Sequence, residues 1–145
     1  MNNVLALIAG TSVLALTALS AFADGTPNTC SLETLHGTLA WGGAATNRYR
    51  GPNSSSGMES YDGKGHMKYY ELSSDGISKE AYNGTGTYTI TSNCIATVIY
   101  DGDTADPWIY FVAPDGSAYF YNNNEGYGQV GGGRVERISR ALLVE

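Results

Sequence analysis

Short runs in which apolar residues alternate with polar or small ones make up most of this chain. In the segment 35–42, Leu35, Leu39 and Trp41 share one side of such an alternation, which has the period of a β-strand with one buried face. Residues 29–35 begin with a helix-capping pattern and predict one helical turn. Further strands are predicted near 57–62, 65–73, 78–82, 84–91, 94–100, 107–113, 117–122 and 127–138.

Asp-Gly or Asn-Gly dipeptides separate these runs, and such dipeptides favour the tight turns of β-hairpins. They begin at Asp62, Asp75, Asn83, Asp101 and Asp115. Consecutive hairpins form a meander, which closes into a barrel or folds into a sandwich. The runs 108–112 and 117–121 are apolar on both faces, so we expect loops or further copies of the chain to cover the outer wall. The prediction is an all-β fold, a single antiparallel β-barrel of about eight strands, with a β-sandwich as the alternative.

Two segments interrupt the alternation. Residues 43–56 are rich in Gly, Ser and Asn and predict a long mobile loop. The glycines at 131–133 lie in the last predicted strand, and we interpret them as a bend where it curves to pair with the first strand, near Leu35 to Trp41. The spacing Gly126-x-Gly128-x-x-Gly131 is that of a dinucleotide-binding loop, but a strand pattern follows it in place of the required helix.

The N-terminal residues have the features of an export signal. Residues 1–23 contain a long apolar stretch without a charged side chain and end in Ala21-Phe22-Ala23, a small-x-small sequence typical of signal-peptidase sites. A membrane anchor is the alternative, although the stretch is near the lower limit of about 17 residues for a span. We therefore predict a signal peptide at 1–23, one β-barrel domain at 24–145, and a secreted or periplasmic protein with no membrane span after cleavage.

The chain contains two cysteines, Cys30 and Cys94. An even number of cysteines in an exported protein indicates a disulfide, and this bond would attach the N-terminal segment to a strand near Cys94. The chain-entropy treatment values a loop of this size, about 65 residues, at roughly 4 kcal/mol. A catalytic or metal-binding role is the alternative, but there is no Cys-x-x-Cys, and neither histidine lies close in sequence.

Composition excludes some classes of partner. A net charge of −6 argues against binding to the phosphate backbone of nucleic acids. Asp101, Asp103 and Asp106 form an acidic turn with oxygen ligands suited to Ca²⁺, but the turn lacks the pattern of an EF-hand, so a solvated turn is the preferred interpretation. We predict no metal and no cofactor.

Eleven tyrosines in a small domain are the main candidates for recognition chemistry. Glu59 with Tyr61 and Tyr69 with Glu71 are each spaced by two in neighbouring strands, so carboxylates and phenols share one face. Inside a barrel this face would orient a ligand or move a proton; outside it is merely solvated, which is the preferred interpretation. No catalytic residue is assigned. The predicted ligand-binding residues are Trp41, Glu59, Tyr61, Tyr69, Glu71, Trp108, Tyr110, Tyr119 and Tyr121.

A resemblance adds to this interpretation. The segments Cys30-Ser31-Leu32, Tyr61-Asp62-Gly63-Lys64-Gly65 and Gly84-Thr85-Gly86-Thr87-Tyr88-Thr89-Ile90, followed by Cys94, resemble a group of small exported, largely uncharacterised bacterial proteins. That group is similar to the lipocalin-like and allene-oxide-cyclase-like β-barrels. The resemblance implies a barrel fold and no specific catalytic residues.

Three functions remain open at the level of the sequence. The first is binding of a small, partly apolar ligand inside the barrel. The second, which rests on the resemblance, is a cyclase or isomerase that folds and protonates its substrate there. The third is an interaction protein of the cell envelope or surface, for which Tyr119, Phe120, Tyr121 and Tyr127 with the asparagines at 122–124 would form an exposed aromatic surface.

Overall fold

A computed structural model describes residues 29–47, 51–103, 107–123 and 129–143, and the structural statements below refer to those residues. A short 3-10 helix, Leu32–Thr34, precedes eight β-strands. The strands are β1 (His36–Asn47), β2 (Gly51–Asp62), β3 (His66–Ser74), β4 (Lys79–Ile90), β5 (Ile95–Tyr100), β6 (Trp108–Val112), β7 (Ala118–Asn123) and β8 (Gln129–Ser139).

The strands form one closed antiparallel meander barrel. Each strand pairs with the next, and β8 pairs with β1 through partners such as Leu39 with Arg137 and Ala45 with Gly131. Closure removes the sheet edges that would otherwise expose unpaired backbone groups. The predicted barrel is confirmed, as is the pairing of the last strand with the first. The sandwich alternative is wrong.

Four of the predicted turns connect neighbouring strands. Gly63, Gly76, Gly102 and Gly116 have φ values of +74°, +85°, +82° and +65°, which L side chains rarely adopt. The aspartate before the glycine also stabilises the turn: in the β3–β4 connection, the backbone amide of Ile77 donates to Asp75 Oδ1 over 2.9 Å. Local turn chemistry therefore sets four of the seven hairpin connections.

Two predictions about the strands are wrong. Asn83-Gly84 lies inside β4 (Lys79–Ile90), which is one continuous strand where two were predicted. The segment 43–56 was predicted to be a loop, but its described residues belong to β1 and β2, with Gly43 opposite Ser55. The inward side chains of this hairpin are small because they face a cavity, so it lacks the apolar alternation that marks a strand packed on a core.

One end of the barrel is filled and covered. Buried apolar side chains occupy its interior: Leu35, Leu39, Met67, Tyr88, Ala96, Val98, Val112 and Val135. The 3-10 helix lies across this end, where its Leu32 carbonyl and that of Leu35 are each 2.9 Å from the Tyr88 hydroxyl. The predicted disulfide Cys30–Cys94 is confirmed, with a Cα–Cα distance of 5.0 Å, and it ties this cover to the start of β5.

In the part of the chain that the structure describes, the other end of the barrel is open. It carries the connections β1–β2, β3–β4, β5–β6 and β7–β8, and the inward residues of the adjoining strand ends are small, such as Ala45, Ser73 and Gly131. Among the residues that the structure describes, no helix has the length and apolar character needed to cross a bilayer. The predicted signal peptide at 1–23 lies outside the described residues and stays a prediction.

Candidate functional site

The open half of the barrel contains a cavity of about 670 Å³. Its floor lies near the middle of the barrel, where Glu59, Tyr110 and Tyr119 face inward. Its mouth is bordered by residues of three hairpins, including Ala45, Asp75 and Asp103. Because the filled end of the barrel lies beneath the cavity, a molecule inside it would contact both the floor and the surrounding wall.

All the predicted ligand-binding residues face the interior of the barrel. Glu59 and Tyr61 point inward from β2, and Tyr69 and Glu71 point inward from β3, so the preferred interpretation of a solvated outer face is wrong. Tyr61 lies below the floor, where its hydroxyl reaches Glu59. The residues that line the cavity directly are Trp41, Glu59, Tyr69, Glu71, Trp108, Tyr110, Tyr119 and Tyr121.

The floor is built around one buried carboxyl group. Glu59 is only 3% exposed. The hydroxyl of Tyr61 donates to its Oε2 over 2.5 Å, and the hydroxyl of Tyr119 donates to the same oxygen. The hydroxyl of Tyr100 donates to Oε1 over 2.7 Å, and it lies 2.7 Å from the hydroxyl of Tyr110. Strands β2, β5, β6 and β7 thus contribute to one polar cluster inside an otherwise aromatic space.

Burial sets the protonation of this cluster. Loss of solvent raises the pKa of Glu59, while the hydrogen bonds from Tyr119, Tyr61 and Tyr100 favour the carboxylate and limit the rise. Burial, and then the nearby charge of Glu59, raise the pKa values of Tyr61, Tyr100, Tyr110 and Tyr119 well above normal. The phenols therefore stay protonated at neutral pH and act as donors, whereas Glu59 is the group of the floor that can exchange a proton.

Glycines make room for the rings of the wall. Three large side chains each lie opposite a glycine of the neighbouring strand: Trp41 opposite Gly57, Tyr69 opposite Gly84, and Tyr121 opposite Gly133. A Cβ atom on Gly84 would lie 2.9 Å from the Tyr69 ring, and one on Gly133 would lie 2.9 Å from the Tyr121 ring. The rings thus pack against bare backbone, which explains why Asn83-Gly84 is strand and not turn.

The rings also support one another. Tyr110 and Tyr119 stack with centroids 4.4 Å apart, and Tyr69 meets Tyr100 edge to face at 4.9 Å. The ring centroids of Trp108 and Tyr121 lie 6.0 Å apart. Such contacts hold aromatic side chains in fixed positions, so the wall is preorganised for a flat apolar group.

Two indole nitrogens in the wall lack hydrogen-bond partners. The Nε1 atoms of Trp41 and Trp108 are buried, and no partner for either is found among the described residues. A buried donor without a partner costs about 1–3 kcal/mol, so native proteins seldom keep one without a reason. Both residues line the cavity.

The mouth is acidic. Asp75, Glu80, Asp101 and Asp103 border it, and Glu71 lies deeper on the wall. In the part of the chain that the structure describes, no Lys, Arg or His lines the cavity. The described side chains that line the cavity therefore contribute only negative charge to its electrostatic potential.

Other candidate sites find less support. Within residues 29–47, 51–103, 107–123 and 129–143, no three His, Cys, Asp or Glu side chains are placed to hold a metal ion. Asp101 instead accepts a hydrogen bond of 2.5 Å from Thr85 Oγ1, and Asp106 lies outside the described residues. Gly131 continues in strand β8 and no helix follows it, so the dinucleotide-loop geometry is absent there.

The predicted exposed aromatic surface is divided between two faces. Tyr119 and Tyr121 point into the barrel, whereas Phe120 points outward and is 55% exposed. Phe120 lies directly opposite Phe111, which is 56% exposed. Tyr127 and Asn124 lie outside the described residues. The outer wall thus carries an apolar strip on β6 and β7, and oligomerisation through it stays a prediction.

Some residues of the site were missed by the sequence analysis. Tyr100 donates to Glu59, and Tyr82 and Glu80 border the mouth. The alternation Ala96, Val98, Tyr100 in β5 carried a signal for the first of these, because it places the tyrosine on the same face as two buried residues. The small inward residues of β1 and β2 gave no such signal.

No protein-family model, no curated protein and no solved structure matches this chain. The eight-stranded antiparallel barrel agrees with the fold that the resemblance to lipocalin-like barrels implies, but no match supports membership of that group. The function must therefore be argued from the cavity itself.

Proposed function

We propose that this protein is an exported barrel that binds a small, partly apolar ligand in the open half of its interior. The single observation that carries the proposal is a preorganised cavity of about 670 Å³ with aromatic walls and a buried, hydrogen-bonded carboxyl group in its floor. Ligand sites in proteins combine such apolar walls with a few fixed polar groups. A barrel evolved only for stability would fill this space with side chains, as its other half does.

The residues have distinct roles in this proposal. Trp41, Tyr69, Trp108 and Tyr121 would contact the apolar body of the ligand, and Glu59 with its phenols would fix the polar end. The disulfide Cys30–Cys94 supports a secreted or periplasmic location, because such bonds persist in oxidising compartments.

Native mass spectrometry of the protein purified from its source tests the proposal. We expect a bound small molecule that is retained in the gas phase and released on unfolding. A Ser55→Phe variant should lose it, because Ser55 lines the cavity and the added ring occupies the space. Ser54→Phe is the matched control, since Ser54 is the exposed neighbour on the same strand. Equal retention by both variants would contradict binding in the cavity.

A second candidate is a cyclase or isomerase of the allene-oxide-cyclase type, and the chemistry of Glu59 favours it. Its raised pKa makes this carboxyl group a proton donor or acceptor within reach of the cavity, and Tyr100 and Tyr110 extend the hydrogen-bonded cluster. Turnover distinguishes the two functions: an enzyme would release a product that differs from the bound molecule, and Glu59→Gln would abolish the formation of that product, whereas a binding protein would release its ligand unchanged.

A further inference from the structure

Among the described residues, the charged side chains that line the cavity are all acidic. Glu59 lies in the floor, Glu71 on the wall, and Asp75, Glu80, Asp101 and Asp103 at the mouth, while the described lining contains no basic side chain. The whole chain carries a net charge of −6, which has the same sign as the charge of this lining. An anionic ligand would have to approach and enter against it.

Aromatic rings fill the space between the floor and the mouth. The face of a Trp or Tyr ring carries negative potential and attracts a cation, and the attraction grows when the cation is desolvated. Here Trp41, Tyr69, Trp108 and Tyr121 line one cavity from four strands of the barrel. The aromatic rings and the carboxyl groups around the cavity therefore both favour a positively charged ligand.

The floor can also accept a donor from a ligand. Glu59 accepts two phenol hydrogens on Oε2 and one on Oε1 from the described residues. A carboxylate offers about four acceptor positions, so one further N–H donor can bind at Oε1. The tyrosines cannot replace Glu59 as the negative group, because they are neutral.

We propose that the ligand is an organic cation, with an ammonium group bound near Glu59 and a flat apolar body between the rings of the wall. This inference rests on the proposed ligand-binding function and names the chemical class of the ligand. The acidic mouth attracts the cation and raises its rate of entry, and the aromatic wall replaces the water that the cation loses.

Three naphthalene compounds that differ in charge test this inference by isothermal titration calorimetry at pH 7. The probes are 2-(2-naphthyl)ethylamine, 2-(2-naphthyl)ethanol and 2-naphthylacetate. We expect the amine to bind at least about tenfold more tightly than the alcohol, with the acetate weakest, and the advantage of the amine to shrink at high salt. Binding of the alcohol or the acetate as tight as that of the amine overturns the inference but leaves ligand binding intact. Binding of none of the three contradicts both proposals.

Two variants locate the effect. Glu59→Gln should weaken the binding of the amine by about tenfold or more and change the affinity for the alcohol by less than about twofold. Glu33→Gln is the control, because it removes the same charge from an exposed position on the 3-10 helix at the closed end. If Glu59→Gln does not fold, Glu71→Gln removes a negative charge from the wall, and the affinities for the amine and the alcohol are compared in the same way. An equal loss for the amine and the alcohol, or an equal effect of Glu33→Gln, would overturn the assigned position of the ammonium group.

Discussion

The two halves of this barrel are built from the same eight strands but have opposite interiors. In the closed half, inward positions carry Leu35, Leu39, Met67 and Val98, which pack into a core beneath a disulfide-tied cover. In the open half, the same alternation places small residues such as Ser55 and aromatic rings around empty space. Strand pairing fixes the barrel in both halves, and the size of the inward side chains decides whether a segment stabilises the fold or forms a site.

The largest loss of stability is expected for Leu39→Ala in the closed half. Leu39 is fully buried in the core, so the loss of its methyl groups and the resulting cavity should lower the free energy of unfolding by about 2–5 kcal/mol. Urea denaturation measures the change. The comparison is Ser55→Ala in the open half, for which we expect a change of less than about 0.5 kcal/mol. A similar loss in both variants would break the distinction between the halves.

Removal of the disulfide should have the next largest effect. Replacing Cys30 and Cys94 together by Ser should lower the free energy of unfolding by about 2–4 kcal/mol, because the unfolded chain gains conformational freedom and the cover is no longer attached. Thermal or urea denaturation without reductant measures it. Unchanged stability would show that the cover is held by packing alone.

The glycines at 131–133 in the closing strand, where a bend was predicted, offer a smaller test. Gly132 in β8 has an ordinary φ, but a Cβ atom there would lie 2.9 Å from the carbonyl oxygen of Tyr121. Gly132→Val should therefore destabilise the barrel by more than about 1 kcal/mol, despite the strand propensity of valine. Chemical denaturation provides the measurement, and a variant as stable as the original chain would show that the backbone shifts freely at this point.

The pH dependence of stability should differ between the original chain and Glu59→Gln by about 1.4 kcal/mol per pH unit at most, since one carboxyl group exchanges one proton. The pKa of Glu59 in the fold is raised above 4.5, so the folded state holds this proton more tightly than the unfolded state. Its stabilising effect is full below pH 4.5 and is lost as the pH rises through the folded pKa. Asp75 and Asp115, whose pKa values are lowered from 3.8 by backbone hydrogen bonds, act in the opposite direction at lower pH.

Denaturation from pH 4 to 8 tests this prediction. The original chain should lose stability across the window above pH 4.5, and Glu59→Gln should lose less. Parallel curves for the two proteins would show that the carboxyl group titrates as it does in the unfolded chain.

Local signals in the sequence were sufficient for the closed half and for most turns. Leu35 and Leu39 alternate as a half-buried strand should, and Asp62-Gly63 and Asp115-Gly116 adopt the turns that their residues favour. The disulfide was predicted from the even number of cysteines together with the export signal. These features depend on neighbours in sequence or on simple chemistry.

The open half depends on partners that are distant in sequence. Gly84 is tolerated in a strand because Tyr69 packs against it, and Ser55 belongs to a strand because it lies opposite Gly43. The cluster at Glu59 needs Tyr100 and Tyr119, which lie 41 and 60 residues away. Only the closure of the barrel brings these residues together, so the pattern along the chain could not show on which side of the wall they lie.

The most direct test of the division between the halves combines stability and binding in the same variants. The only two tryptophans of the chain, Trp41 and Trp108, both line the cavity, so energy transfer from tryptophan to the neutral probe N-phenyl-1-naphthylamine reports binding there. Leu39→Ala should be less stable but bind the probe with unchanged affinity at low temperature. Ser55→Phe should retain its stability and lose the probe, and Ser54→Phe should retain both. Probe binding that survives Ser55→Phe, or that disappears in folded Leu39→Ala, would contradict the account.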